Sequence, residues 1–200
     1  MAFVKMKFFL SQNFFIFYFG NLNCQKAIVG FPSDRFSLYY LHFYYVAKSF
    51  SSSVGTGTLV TAMEEQDSFR EGSNEYGATT GRPRDMGYFD AVATRNGVDL
   101  QAATEIALTK IDCLSGLSEL KICTAYSGEH TENPIWPQTA ELKPVYEDMA
   151  GWDEDITDCR SFESLPQAAQ DYVTRIEELM GVPIVMVSVG PEREQMIIRG

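Results

Sequence analysis

One segment near the carboxyl terminus constrains the fold most, because a helix pattern runs directly into a buried-strand pattern. Ser164 is a good helix N-cap, and Pro166 suits a first turn. The apolar residues that follow recur at helical spacing and form one stripe: Ala169, Tyr172, Val173, Ile176, Leu179 and Met180. Gly181 and Pro183 end the helix, and the apolar run Val182–Val189 predicts a strand covered on both faces. A helix followed at once by such a strand is typical of an α/β sheet.

Further elements upstream extend this pattern. The spacing of apolar residues predicts a helix over Met86–Arg95 with a stop signal at Asn96–Gly97. Short apolar runs predict strands at Glu105–Thr109 and Leu120–Tyr126. The polar segment His130–Asp158 predicts loops with short strands. We therefore expect an α/β fold with a mostly parallel sheet.

The chain has two parts of unlike composition. Residues 1–50 hold 16 of the 26 aromatic residues and carry a net charge of +4, whereas residues 51–200 carry a net charge of -15. An acidic main body of this kind disfavours phosphate backbones, so the charge argues against a nucleic-acid-binding protein. The sequence has no run of 18 apolar residues, which argues against an ordinary spanning helix.

The first fifty residues show no helix or strand period, so we expect them to be poorly packed beside an ordered body. Burial of Phe14, Phe17 and Phe19 against the helix at 165–180 would contradict this expectation. Three interpretations stay open for this segment. It is a signal or anchor, an aromatic-rich structural extension, or sequence that did not evolve with the main body, such as translated non-coding DNA.

Cysteine and histidine usage excludes several kinds of site. The four cysteines lie far apart without a CxxC pair, which argues against a zinc knuckle, a redox dithiol or a dense disulfide framework. Only two histidines, His42 and His130, are available for metal or acid–base chemistry. The acidic stretch Glu147–Asp158 lacks the ligand spacing and glycine of a calcium loop, so we interpret it as solvated.

Three short strings carry candidate chemistry. Lys110, Ile111 and Asp112 follow a predicted strand, where α/β proteins bind ligands. The Asp112 carboxylate is able to accept two hydrogen bonds from guanine N1–H and its exocyclic amine, a donor pair that adenine lacks. The Lys110 stem is able to lie along the purine face. A pair of ordinary surface residues is the alternative.

The second string, Gly77–Arg84, has the densest positive charge of the acidic body. Pro83 restricts Arg82 to extended geometry. Each guanidinium is able to hold a phosphate or carboxylate through two hydrogen bonds. The alternative is a basic surface turn with ordinary salt bridges.

The third string, Ser188–Val189–Gly190, follows the last predicted strand. Its backbone N–H groups suit a carbonyl oxygen of a base. The alternative is a simple strand-ending turn.

These strings, in this order, resemble the adenylosuccinate synthetase family. The resemblance covers residues 54–200, about the last third of a family chain, and residues 1–53 are unlike the family. The matching strings are VGTG (54–57), NEYGATTGRPRDMGYFDAVA (74–93), LTKIDCLSGLSELKIC (108–123), KPVYEDMAGW (143–152), LPQAAQDYVTRIEELMGVPI (165–184) and VSVGPEREQMI (187–197).

The resemblance implies a GTP-dependent ligase of purine biosynthesis that condenses inosine monophosphate (IMP) with aspartate. It implies cytoplasmic location, Mg²⁺ as cofactor and a homodimer. The loop that it assigns to the aspartate carboxylates comprises Ala78, Thr79, Thr80, Gly81, Arg82, Pro83 and Arg84. It assigns Arg82 also to IMP and Arg84 to GTP. It assigns the guanine contacts to Lys110, Ile111, Asp112, Ser188, Val189 and Gly190.

The departures from the family concern catalysis. The family's GDEGKG phosphate loop does not occur in these 200 residues, and the catalytic Asp and His lie in that part of the family. We therefore expect a P-loop-like ligase fold without retained catalytic or metal-binding residues and inactive by itself. A non-catalytic guanine-nucleotide-binding remnant or pseudogene-like product, and a membrane-associated or secreted protein, are the alternatives.

Overall fold

The computed structural model describes residues 15–21, 24–30, 36–40, 42–55, 57, 59–127 and 142–199. Its strands are β1 (Phe15–Asn21), β2 (Cys24–Gly30), β3 (Phe36–Tyr40), β4 (Tyr44–Lys48), β5 (Ser51–Ser53), β6 (Asp85–Gly87), β7 (Phe89–Asp90), β8 (Glu105–Thr109), β9 (Leu117–Ser127), β10 (Lys143–Trp152), β11 (Ile184–Ser188) and β12 (Met196–Ile198). Its α-helices are α1 (Asp67–Ser73), α2 (Ala91–Leu100) and α3 (Gln167–Met180), and short 3-10 turns cover Ile111–Leu114, Phe162–Ser164 and Arg193–Gln195.

The sheet that organises the main body has the strand order β12-β11-β8-β4. β8 runs parallel to both of its neighbours, and its Leu108 lies opposite Ala47 of β4 and Val187 of β11. β12 completes the sheet in antiparallel orientation. The three parallel strands therefore end at one edge, which we name the carboxyl edge.

Among the described residues, three smaller sheets accompany the organising sheet. β9 pairs with β10 in antiparallel and with β7 in parallel orientation, and β5 pairs with β6. β1, β2 and β3 form an antiparallel meander. Arg175 of α3 makes an ion pair with Glu147 of β10 at 2.9 Å, which connects the helix to the β9–β10 hairpin.

The amphipathic stripe of α3 lies in the main core, as the sequence predicts. Ala169, Tyr172, Val173, Ile176 and Met180 are all buried. They belong to one cluster with the buried side chains of β8 and β11. Burial of this stripe is the main reason why the helix forms here, because a helix of this length is marginal in isolation.

The structure confirms the strand at Glu105–Thr109 and the strand within Val182–Val189, which spans Ile184–Ser188. The predicted strand at Leu120–Tyr126 is longer at both ends. At the start of α3, Pro166 takes the N-cap position and Ser164 lies in the preceding 3-10 turn, so the predicted role of Ser164 is wrong.

The predicted helix over Met86–Arg95 begins and ends too early. Met86 lies in β6, and the helix begins at Ala91 because the Asp90 carboxylate accepts a hydrogen bond from the Ala93 N–H at 2.9 Å. The helix continues through Gly97 to Leu100. Gly97 is not a stop signal but a packing position, because a Cβ there would lie 2.5 Å from the Tyr45 hydroxyl oxygen.

Two further predictions are wrong. The segment predicted as loops with short strands contains the ten-residue strand β10. The expectation that the first fifty residues are poorly packed is wrong for residues 44–50, because β4 gains its backbone hydrogen bonds by pairing with the distant β8. Phe50 is buried, and Tyr172 donates a hydrogen bond to the Ser49 carbonyl at 2.8 Å.

The side chains of Phe14, Phe17 and Phe19 lie outside the part that the structure describes. Within the described residues, none of the helices has the length and apolar character needed to cross a membrane.

The close approach of β10 to β9 predicts an intolerance of side chains at Gly151. A Cβ there would overlap the backbone oxygen of Leu117, which cannot rotate away. We expect Gly151→Ala to lower the free energy of unfolding by about 3 kcal/mol. Gly72→Ala, in α1 with no atom near its Cβ, serves as the control and should raise it by up to about 1 kcal/mol. Urea unfolding measures both, and equal effects would contradict the packing described here.

Candidate functional site

The turn after β8 places a buried carboxylate at the carboxyl edge. Lys110 adopts the left-handed conformation with φ of +65°, which redirects the chain into the Ile111–Leu114 turn. Ile111 is fully buried and anchors this turn in the core. The Asp112 Oδ1 atom is buried and accepts no hydrogen bond from any residue that the structure describes. Burial raises the pKa of Asp112 above its ordinary value.

The turn after β11 lies beside the turn after β8, because these strands are parallel neighbours. Ser188 donates its hydroxyl hydrogen to the Gly190 carbonyl at 2.8 Å. The Val189 N–H donates to the Gln195 carbonyl at 2.9 Å. The Val189 N–H is therefore occupied by a backbone hydrogen bond within the protein. Of the Val189 and Gly190 N–H groups, the Gly190 N–H is thus the remaining candidate donor to a ligand.

The segment Gly77–Arg84, here named the arginine loop, is a tight and exposed turn. The Gly77 N–H donates to the Arg82 carbonyl at 2.8 Å, and the Gly81 N–H donates to the Gly77 carbonyl at 2.8 Å. Residues 78–83 are exposed, and the Arg82 guanidinium makes no ion pair with a described residue. Arg84 points inward, with its Nε 3.4 Å from the Tyr76 carbonyl oxygen.

A buried carboxylate connects the arginine loop to the turn after β8. The Glu75 side chain is only 4% exposed. Its Oε1 lies 2.6 Å from Lys110 Nζ, and its Oε2 lies 2.7 Å from Lys48 Nζ and 3.5 Å from Arg84 Nε. Three cations around one anion leave two positive charges, so this group of residues attracts anions in an otherwise acidic chain.

The charged state of Glu75 is stabilised by its partners. Burial by itself raises the pKa of a carboxyl group, but hydrogen bonds from Lys110 and Lys48 outweigh burial here and lower the pKa of Glu75 below its ordinary value. The Ser52 hydroxyl adds a further hydrogen bond to Oε2 at 3.1 Å. Glu75 is therefore ionised at neutral pH.

The end of α1 explains how Glu75 reaches this position. Asn74 adopts the left-handed conformation with φ of 52° and ends the helix with backbone hydrogen bonds to Arg70 and Glu71. The Ser73 carbonyl, at the negative end of the helix, accepts a hydrogen bond from Lys110 Nζ at 2.9 Å.

The aromatic ring of Phe50 lies beside the ammonium groups of Lys48 and Lys110. The ammonium groups of Lys48 and Lys110 lie 5.8 Å and 5.9 Å from the centre of its buried ring. The ring itself makes an edge-to-face contact with Phe69 of α1. These contacts hold both ammonium groups beside Glu75.

The structure thus brings two pairs of predicted strings together. The turns at 110–112 and 188–190 lie side by side, and the arginine loop meets Lys110 through Glu75. Sequence reasoning missed Glu75 and Lys48. The only sequence signal for Glu75 was its position just before the basic arginine loop. That position does not indicate that the Glu75 side chain is buried.

No three described residues form a carboxylate, histidine or cysteine cluster able to hold a metal ion.

The fold and the polar carboxyl edge define an α/β domain with its candidate ligand site at the ends of parallel strands. The family model described as adenylosuccinate synthetase matches residues 25–197. The chain therefore belongs to the adenylosuccinate synthetase family. The family model matches from residue 25 onward, whereas the strings that resemble the family in the sequence begin at Val54.

Individual relatives agree with this assignment. Adenylosuccinate synthetase 2 of Pseudoalteromonas translucida (strain TAC 125) is 84% identical over 154 residues, which cover 77% of this chain and 37% of that protein. Adenylosuccinate synthetase of Nitratidesulfovibrio vulgaris (strain DSM 19637 / Miyazaki F) is 49% identical over 161 residues, which cover 78% of this chain and 38% of that protein.

A solved structure, that of fully ligated adenylosuccinate synthetase from Plasmodium falciparum, is similar with a TM-score of 0.71 and 35% sequence identity. The similarity covers 78% of this chain and 39% of that one. The chain spans less than two fifths of the length of these relatives.

The environment of Asp112 predicts a pH-dependent gain in stability when its charge is removed. Because burial raises its pKa above the ordinary 3.8, the carboxylate destabilises the fold at neutral pH, and protonation relieves this penalty as the pH falls. We expect Asp112→Asn to raise the free energy of unfolding at pH 7 by about 1 kcal/mol. Urea unfolding from pH 7 down to pH 4 should show this difference shrinking.

Asp155→Asn serves as a control, because it should change the free energy of unfolding at pH 7 in the opposite direction. The backbone N–H of Thr157 lowers the pKa of Asp155, so loss of this carboxylate should reduce stability at pH 7. A destabilised Asp112→Asn variant, or a difference that does not change with pH, would contradict the description of Asp112.

Proposed function

We propose that this chain carries the guanine-binding and aspartate-binding parts of an adenylosuccinate synthetase. Such a ligase of purine biosynthesis condenses IMP with aspartate and uses GTP as co-substrate. The observation that carries the proposal is the buried Oδ1 of Asp112, which lacks a hydrogen-bond donor among the described residues and lies at the ligand-binding edge of a parallel sheet.

Guanine supplies what the Asp112 carboxylate lacks. Its N1–H and exocyclic amine are parallel donors that match the two oxygens of one carboxylate. Adenine offers no such pair and would leave the buried oxygen unsatisfied, which disfavours it. Ile111 fixes the turn from below, Lys110 covers the purine face, and Ser188–Gly190 borders the base from the neighbouring strand end.

The arginine loop is proposed to bind the anionic partners. The exposed Arg82, without an ion pair to a described residue, suits the aspartate carboxylates and IMP. Thr79 and Thr80 lie in the same exposed turn and offer hydroxyl groups. Arg84 lies beside Glu75 and thus near Lys110, which agrees with a position on the GTP side.

We propose that the purified chain binds these ligands without catalysing the reaction. The GDEGKG phosphate loop does not occur in its sequence, and its described residues do not form a metal-binding cluster. Phosphoryl transfer depends on positioning and on neutralising the phosphates. A guanine-nucleotide-binding remnant is the alternative function, and it would bind GDP but neither aspartate nor IMP. Cytoplasmic location and homodimer formation are proposed from the family alone.

The guanine contact is tested by nucleotide specificity. Asp112→Asn should weaken GDP binding by about 1–3 kcal/mol and reduce the preference for guanine over xanthine nucleotides, because the amide cannot accept both donors. Isothermal titration with GDP, XDP and ADP measures this change. Equal affinities of the unsubstituted chain for GDP and ADP would contradict the assignment of Asp112.

The absence of catalysis is tested with the purified 200-residue chain. With IMP, GTP, Mg²⁺ and aspartate, we expect no detectable adenylosuccinate, since loss of a core part of such a site costs several orders of magnitude. The absorbance change of the purine follows the reaction. Turnover of about 1 per second, an ordinary enzyme rate, would show that the chain contains the catalytic groups.

A further inference from the structure

The Glu75 carboxylate is shared by cations from three separate segments. Lys48 ends β4, Arg84 ends the arginine loop, and Lys110 follows β8. In the described part of the chain, no other carboxylate lies within ion-pair distance of these three cations. A single buried carboxylate therefore contacts all three positive charges.

We infer that Glu75 is a positioning residue that holds Lys110 and Arg84 in fixed relation, so that the guanine turn and the arginine loop bind their ligands as one unit. This inference rests on the proposed function. Glu75 itself is oriented toward the protein side chains and is not proposed to touch the ligands. Its effect on binding passes through Lys110 and Arg84.

The physical reason is the geometry of the two carboxylate oxygens. Oε1 accepts a hydrogen bond from Lys110 Nζ at 2.6 Å, while Oε2 accepts hydrogen bonds from Lys48 Nζ at 2.7 Å and from the Ser52 hydroxyl at 3.1 Å. A glutamine at this position keeps one oxygen but directs an NH₂ group at a cation on the other side. One of the lysines then loses its charged partner and keeps only a neutral one, the Ser73 carbonyl for Lys110 or the Ser52 hydroxyl for Lys48. The position of that long side chain is then less constrained.

The backbone connects Glu75 to the arginine loop a second time. The Arg84 N–H donates to the Glu75 carbonyl at 3.1 Å. Because this bond does not involve the side chain, the substitution Glu75→Gln leaves it in place. The variant thus removes the charged contact and keeps the backbone course of the loop.

A double-mutant cycle on GDP binding tests the inference in the full chain. The four proteins are the unsubstituted chain, Glu75→Gln, Lys110→Met and the double variant, and fluorescent GDP is the probe. We expect Glu75→Gln to weaken binding about tenfold, as expected when a charge-assisted hydrogen bond loses its partner. In the Lys110→Met background the same substitution should change the affinity less than about threefold.

A general loss of structure would not produce this pattern, because its effect would persist in the Lys110→Met background. Glu147→Gln serves as a matched control, since it removes a carboxylate that pairs with Arg175 away from the site. This control should leave GDP affinity unchanged. If Glu75→Gln does not fold, Glu75→Asp, which keeps the charge with a shorter reach, enters the same cycle.

Each outcome of the cycle supports or overturns either the inference or the proposed function. Weakened binding that depends on Lys110 supports the inference. Unchanged GDP affinity in Glu75→Gln, or equal losses with and without Lys110, overturns the inference and leaves the proposed function standing. Absence of GDP binding by the unsubstituted chain overturns the proposed function, and the inference falls with it.

Discussion

The parallel pairing of β8 with β4 and β11 is the constraint on which the rest of the structure depends. It places the ends of three strands at one edge, so that Lys48, Lys110–Asp112 and Ser188–Gly190 lie at the ends of neighbouring strands although they are far apart in sequence. The core beneath is closed by α3, whose Tyr172 also hydrogen-bonds to the chain just after β4. The candidate site is thus a consequence of the sheet topology and not of any single motif.

A local positive site exists in a strongly acidic chain because its charges are held together by one buried anion. The chain carries a net charge of -11, yet Lys48, Arg84 and Lys110 converge on Glu75. Without this anion, mutual repulsion and the entropy of long side chains would separate them. Nearby, Asp112 keeps a buried oxygen without a described donor, which costs stability. The two carboxylates have opposite pKa shifts because Glu75 is surrounded by cations whereas burial dominates at Asp112.

The parts of the fold that could be predicted from the sequence are those with a local pattern. The α3 stripe and the apolar runs of β8 and β11 are of this kind, and their termini were nearly correct. β4 was missed because its stability comes from pairing with a strand some sixty residues away. β10 was missed because only its last residue, Trp152, is buried, so an alternating apolar pattern is weak. For the site, residue chemistry suggested Arg82, Arg84, Lys110 and Asp112, but only the structure shows that Glu75 connects two of these groups.

We propose that both strand-end turns at the carboxyl edge bind a guanine nucleotide. Two-dimensional NMR of the isotopically labelled 22.5 kDa chain during titration with GDP tests it most directly. We expect the largest saturable amide shifts at Lys110–Asp112 and Ser188–Gly190. We expect little change at Gly181 and Val182, which precede β11 at the opposite edge of the sheet. Shifts concentrated away from these two turns, or no saturable shift, would contradict it.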